Sequence, residues 1–358
     1  MTIPKRALCL SVTIGLCLLA RSNSSRIAAA PRLNPTYPGT MTALHIESPD
    51  TTTMSLWGCL VPHDSDDTWT EVVLDFGQPW YDSTDAVYGA NGFDNGTTFH
   101  SISTIESGVK AFILSYTGTD CGPTAGGVEF LIGVNNETST LSGSAVNYSH
   151  GAAWGAMVAD VNSWMSDQGY GWQNDAIGGI DAEAYYGSAS ATRSWADGFS
   201  SVSGVWYGDF GTCDSCPKAS QSGCYYDVNT HPTCDISNEP IGGDWTVDDV
   251  YYISWTASGG FPLPEIYGSV FADYWEYIDL YGSATTSGDG YWVGGVMTEC
   301  TAVNQRGGTM YSPTDGWTAM VSSLNNATFY PYSNQSVLDW SDDIGYQDSS
   351  YSSSCFTS

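Results

Sequence analysis

Positive charge is what this 358-residue sequence most lacks. It holds nine Lys and Arg against 39 Asp and Glu, a formal net charge of −30. Five of the nine (Lys5, Arg6, Arg21, Arg26, Arg32) precede the first acid, Glu47. From Glu47 onward only Lys110, Arg193, Lys218 and Arg306 oppose 39 acids, so that stretch carries −35. Such a surface repels phosphate backbones and anionic headgroups, which argues against nucleic-acid and membrane partners. Histidine is scarce too, five in the chain, leaving little material for histidine-activated nucleophiles or a His-rich metal centre. The sequence contains no G-x-S-x-G elbow, no G-x-x-x-x-G-K-[ST], no dinucleotide G-x-G-x-x-G and no H-E-x-x-H. No cofactor and no metal are therefore expected. Long apolar runs are missing as well. The longest, Ala7 to Ala20, is too short for a bilayer, which needs roughly 20 residues.

That short run has a different reading. Lys5 and Arg6 precede it and Ala28-Ala29-Ala30 offers a small-residue cleavage site, so residues 1–30 read as a secretory signal, with an uncleaved anchor as the alternative. The expected mature protein is soluble, extracellular and monomeric. Eight cysteines follow the signal: Cys59, Cys121, Cys213, Cys216, Cys224, Cys234, Cys300 and Cys355. An even number in an exported chain suggests up to four disulfides. Cys213-x-x-Cys216 with Cys224 and Cys234 also permits a zinc reading, which export disfavours. Glycosylation sequons occur at Asn95, Asn136, Asn147, Asn326 and Asn334. With 14 Trp, 23 Tyr and 11 Phe the chain has ample material for a core.

Residues 31–55, rich in Pro, Thr and Ser, read as a linker. Beyond them β-rich runs at residues 71–76, 128–134, 176–183, 205–207, 250–255, 265–267 and 292–297 suggest strands, with an eighth near 328–332. Helical spacing separates them, as in Ile102, Ile105, Val109, Phe112, Ile113 and in Trp154, Met157, Val158, Val161, Trp164, Met165. Further helices are expected at 188–202, 269–281 and 314–324. This alternation predicts an α/β fold, an irregular (β/α)8 TIM-type barrel over residues 56–345. A doubly wound open sheet is the runner-up. Residues 211–247 read as a Cys-rich insertion and 346–358 as a Ser-rich tail. The eight residues 256–263 are too few for a crossover helix between the fifth and sixth runs, so one side of the barrel is expected to be incomplete.

Carboxylates remain as the abundant acid–base groups. In Gly178-Gly-Ile-Asp-Ala-Glu183, Asp181 and Glu183 stand two apart on a strand, on one face with Cα atoms about 7 Å apart. The apolar run ahead of them puts both at the strand's C-terminal end, where barrel enzymes carry their chemistry. Two such neighbours repel, so one can hold a proton while the other stays charged, the division of labour that glycoside hydrolysis uses. Asp75 ends another apolar strand; Glu265, Asp209 and Glu299 also fall near strand ends. Trp80, Tyr185, Tyr207, Trp255 and Tyr267 lie near those ends and could stack on sugar rings. His150, in the loop after the second run, falls on the same face and is a candidate for substrate binding, although a helix-capping or structural role is the preferred reading of it. Asp64-Ser-Asp-Asp67 lacks the Gly and Glu of a calcium loop and reads as a solvated turn.

Asp75 ending a strand, the Asp181-Ala-Glu183 strand and Pro264-Glu-Ile-Tyr267 together resemble the barrels of family 25 glycoside hydrolases and related secreted glycoside-hydrolase-like barrels, over residues 70 to about 300. The resemblance implies an irregular barrel with Glu183 as proton donor. Asp181 would polarise the acetamido group or the intermediate, and Asp75 would be a cleft carboxylate. Residues 211–247 have no counterpart in that pattern, and Glu299 and Asp343 both compete for its late acid. The expected function is hydrolysis of a cell-wall or extracellular polysaccharide. A non-catalytic carbohydrate-binding or adhesive protein on the same barrel is the alternative, and a disulfide-rich protein of unrelated role a third. The near-absence of bases in the mature chain further predicts tolerance of acid, with salt adaptation as the competing explanation.

Overall fold

Inward and outward faces alternate along every strand, and this alternation organises the molecule. The computed structural model describes residues 36–61, 69–93, 98–118, 127–138, 143–171, 174–222, 236–285, 292–326, 335, 338–348 and 355. Eight parallel strands form one sheet: β1 (Met41–His45), β2 (Thr70–Asp75), β3 (Val128–Asn135), β4 (Asn174–Asp181), β5 (Tyr207–Asp209), β6 (Gly260–Pro262), β7 (Gly295–Thr298) and β8 (Trp340–Tyr346). Their spatial order is β6-β5-β4-β3-β2-β1-β8-β7, so each strand pairs with its chain neighbour and β1 with β8. The remaining gap is bridged just beyond β6. The Gly294 and Met297 amides donate to Pro262 and Pro264, and the Ile266 amide donates to Met297. The result is a nearly closed, TIM-like barrel.

One apolar cluster fills the inside. Ala43, Val73, Leu131, Ile177 and Ile344 lie in one register-matched layer, with Phe210, Phe261, Met297 and Trp340 around it. Leu131 needs space, and glycines supply it. A Cβ on Gly179 would lie 2.0 Å from a Leu131 methyl, and one on Gly208 2.6 Å from the other. On the outward face a Cβ on Gly178 would meet the Phe199 ring at 2.3 Å. The Gly178-Gly179 pair is thus required on both faces by close packing.

The outer layer is helical: α1 (Thr51–Leu60), α2 (Ile102–Thr117), α3 (Tyr148–Gln168), α4 (Ala189–Ser200), α5 (Val247–Tyr251), α6 (Ser269–Thr285), α7 (Cys300–Gln305) and α8 (Pro313–Leu324). Side-chain oxygens of Asp50, Ser101, Asn147, Ser188 and Ser312 cap α1, α2, α3, α4 and α8 at first-turn amides. A three-stranded antiparallel sheet (Gln78–Asp82, Val87–Asn91, Phe99–Ser101) is inserted between β2 and α2. Among the described residues no helix is long and apolar enough to cross a membrane.

Several expectations are corrected. Residues 31–55 are not a linker beyond position 40: they carry β1, every residue of it buried, and the start of α1. Strand β1 hides in a Pro- and Thr-rich context because it is buried by pairing on both edges rather than by an apolar run. The barrel therefore begins at Met41 and ends at Tyr346. Residues 250–255 are helical, not a strand. Thr246 and Asp249 form a capping box that starts α5, and a π-helical turn, Tyr252–Thr256, continues it. This short segment supplies the crossover between β5 and β6 that strand propensity alone had removed.

The expected eighth strand near 328–332 lies outside the described residues, as do the expected signal segment (residues 1–30), Asp64–Asp67, Cys121, Cys224 and Cys234. The region 211–247 is described in part: a Cys213–Cys216 disulfide, a 3-10 turn (Ala219–Gln221) and a small hairpin (Pro240–Gly242, Trp245–Thr246). Cys59 is also disulfide-bonded, and Cys300–Cys355 staples the C-terminal segment to the start of α7.

Candidate active site

Inward parity delivers acids to one end of the barrel. On β2 the inward residues are Glu71, Val73 and Asp75; on β4 they are Asp175, Ile177, Gly179 and Asp181. Asp75 and Asp181 are the last residues of their strands, Glu299 directly follows β7, and Glu265 lies three residues past the end of β6. Glu183 lies two residues past the end of β4 rather than on it. Carboxylate oxygens of Asp181, Glu183 and Glu265 all lie within 4.8 Å of one another. Asp181 is 9% exposed and Glu265 2%.

The backbone of Glu183 is clamped by one side chain. Asn136, fully buried just after β3, donates through Nδ2 to the Glu183 carbonyl (2.9 Å) and accepts the Glu183 amide through Oδ1 (3.0 Å). Its own amide donates to the Asp181 carbonyl (3.0 Å). The sequon at Asn136 is therefore unavailable for glycosylation. Glu265 is held by the Tyr267 hydroxyl, which donates to its Oε2. Nothing comparable holds Asp181, whose buried Oδ1 has no hydrogen-bond partner.

Burial and like charge displace the titrations of these groups. Glu183 is pushed up to about 7, first by burial and then by Glu299, with a Tyr186 hydrogen bond opposing the shift. Asp181 is held well above the carboxylate range by burial and by Glu183, Asp75, Glu299 and Asp209. Glu265 is raised likewise, by burial and by Asp181, Glu299 and Glu183, against the Tyr267 hydrogen bond. A carboxyl raised to about 7, as Glu183 is, has the titration range a general acid requires near neutral pH.

Two cavities open onto the cluster. One of about 300 Å³ is lined by Tyr185, Tyr186, Asp214, Tyr267 and Phe271; the other, about 330 Å³, by His45, Asn135, Asp181, Arg306 and Tyr346. Glu183, Tyr186 and Glu299 line both. Glu183 thus stands where the two meet.

The expected site residues divide. Asp181, Glu183, Glu265, Tyr185 and Tyr267 come together here. Asp75 sits behind the cleft: it is fully buried, with Oδ2 3.2 Å from His45 Nδ1 and Oδ1 accepting the Gly77 amide (3.0 Å). His45, assigned to the linker by composition, faces the cavity in its place.

The substrate-binding reading of His150 is corrected. The ring is fully buried, with Nε2–H donating to the Gly89 carbonyl (2.8 Å) and Nδ1 accepting the Trp195 indole N–H (2.9 Å). Burial lowers its pKa to about 4, so it is a neutral core histidine. Tyr207 is likewise buried, packed on Trp195 and Phe199 with its hydroxyl donating to the Ile253 carbonyl. Trp255 donates its indole N–H to the Trp292 carbonyl ahead of β7, at the opposite end of the barrel. Trp80 packs on Gly143 in the inserted sheet and lines neither cavity. Asp209 faces outward and accepts the Ser254 hydroxyl (2.6 Å).

Glu299 and Asp343 are oriented differently. Glu299 faces the cavities, whereas Asp343 is turned away to accept the Thr301 amide and hydroxyl at the start of α7. Asn136, Tyr186 and Arg306 were missed. Tyr186 had a signal in the parallel between Glu183-Ala-Tyr-Tyr-Gly-Ser188 and Glu265-Ile-Tyr-Gly-Ser269. Cys300, Asp343 and Cys355 also lie together, but their cysteines are spent in a disulfide. No model of a known protein family matches the chain, and no curated protein matches it.

Proposed function

We propose that the protein is a secreted glycoside hydrolase of the family-25-like type, acting on a cell-wall or extracellular polysaccharide. The observation that carries this reading is the convergence of Asp181, Glu183 and Glu265 at the C-terminal mouth of the barrel, with Glu183 facing both cavities. Glu183 is the proton donor to the leaving oxygen, because it is raised to about 7 yet reachable from either side. Asp181, behind it, stabilises positive charge developing at the anomeric carbon or polarises an acetamido group. The close approach of these carboxylates is nearer the roughly 5–5.5 Å spacing of retaining enzymes than the roughly 6.5–9.5 Å of inverting ones. NMR of the first-formed anomer tests that point: retained configuration is expected.

Tyr185, 60% exposed, its hydroxyl donating to Ser215 (2.8 Å), offers a fixed ring for a sugar face. The acid-rich cleft favours neutral or amino-sugar chains over polyanions. Two disulfides in the described residues support an oxidising compartment.

Reducing-sugar release from chitin, peptidoglycan and β-glucan is the test. Glu183→Gln should lower turnover by about 100-fold or more while leaving the thermal melt intact. Turnover in wild type should fall as pH rises past about 7, where Glu183 loses its proton. Undiminished turnover in Glu183→Gln would overturn the assignment. Equal glycan binding by both forms, with hydrolysis by neither, would make it a carbohydrate-binding protein.

A further inference from the structure

We infer that Asp181, Glu183 and Glu265 form a binding site for a divalent cation of the calcium class. Three observations carry this. First, the ligand set is all carboxylate, the hard oxygen donors such cations select. Ca–O distances of about 2.3–2.6 Å place two oxygens on one ion at most about 5 Å apart, and the three groups each offer an oxygen within 4.8 Å of the others.

Second, Asp181 Oδ1 is buried without a hydrogen-bond partner, in a residue only 9% exposed. Such an atom, here beside two further carboxylates, calls for a water, an ion or a functional role to compensate it. No basic side chain does so here. The ion pairs among the described residues are His45–Asp75, Lys110–Glu106 and those of Arg193 with Asp248 and Asp249, none of which touches the cluster.

Third, the donors are held before any ion arrives. Asn136 fixes the Glu183 backbone on both sides, and the Tyr267 hydroxyl orients Glu265. The flanking cavities give the ion an entry path and room for the waters that complete its shell.

One consequence rests on the hydrolase reading. A cation bound to Glu183 occupies the oxygen that would carry the catalytic proton, so calcium should inhibit sugar release.

The site itself is tested by binding. The whole protein is titrated at pH 7 with Tb³⁺, whose luminescence is excited through nearby tyrosines, and Ca²⁺ is added as competitor. A saturable one-equivalent signal displaced by Ca²⁺ is expected, with affinity at least about tenfold weaker in Glu265→Gln and in Asp181→Asn. Asp160→Asn, exposed on α3, should leave it unchanged. Circular dichroism of each variant confirms that it is folded. A signal that never saturates, or one indifferent to both Glu265→Gln and Asp181→Asn in folded protein, overturns the site. Calcium binding without hydrolysis of any glycan would remove the hydrolase reading and leave the site standing. Hydrolysis without calcium binding would do the reverse.

Discussion

Asn136 shows at the scale of one residue why an acid pair read from strand parity does not by itself give the arrangement around it. Asp181-Ala-Glu183 was legible because strand parity and an apolar lead-in dictate where those carboxylates go. What fixes Glu183 past the strand end is an amide from the neighbouring strand's exit, and a parallel neighbour cannot be found from local pattern. The residues around it even point elsewhere, since Asn136-Glu-Thr138 reads as a glycosylation sequon. For His150 the structural reading holds and the substrate-binding one does not. Its loop position suggested the cleft, yet Gly89 and Trp195 satisfy both ring nitrogens in the core. Asn136→Ala should therefore cost activity and stability together. It strands the Glu183 amide and carbonyl, about 1–3 kcal/mol for each buried group left unpaired. Urea unfolding alongside sugar release checks this; a variant as stable and active as wild type would show that the clamp is not needed.

At the scale of elements, legibility followed the strength of the local signal. Helices α2, α3, α4, α6 and α8 were readable because apolar periodicity runs over three or more turns and Ser or Asn caps four of them. Strands β5 and β6 have three residues each, too few for alternation to register. The run Val250-Tyr-Tyr-Ile-Ser-Trp255 has strong β propensity, and propensity lost to context. Thr246 and Asp249 fix the first turn, Arg193 bonds Asp248 and Asp249 from α4, and Ser254 bonds Asp209 at the end of β5. If the capping box decides this, Thr246→Ala should destabilise the protein by about 0.5–2 kcal/mol. Because the crossover holds β5 against β6, hydrogen exchange should rise there more than at β2. Uniform or unchanged exchange would assign the helix to packing alone.

At the scale of the molecule, charge opened the sequence reading, and the barrel interior gives it a second meaning. Glu71, Glu129 and Asp175 occupy register-matched inward positions at the N-terminal end of the barrel, and Asp342 faces them from β8 beside Met41. Glu71 and Asp342 are fully buried. Burial, then Asp342 and Glu129, raises Glu71 well above the usual carboxylate range; Asp342 is raised chiefly by burial, and Glu129 to about 7 by burial and Asp175. A carboxyl with a raised folded-state pKa binds its proton more tightly folded than unfolded. Its contribution to stability is complete below the unfolded value and is lost as pH rises through the folded one. The melting temperature should accordingly be highest in acid and fall through neutrality. Surface repulsion among 39 acids would produce a similar slope, but molar salt screens exposed charges and hardly affects buried ones. The decisive measurement is a set of melts from pH 3 to 9 in molar salt, for wild type and Glu71→Gln. A slope that survives salt and flattens in the variant, with a higher neutral melting temperature, places the acid preference in the barrel floor. A wild-type slope abolished by salt would return it to the surface and favour salt adaptation.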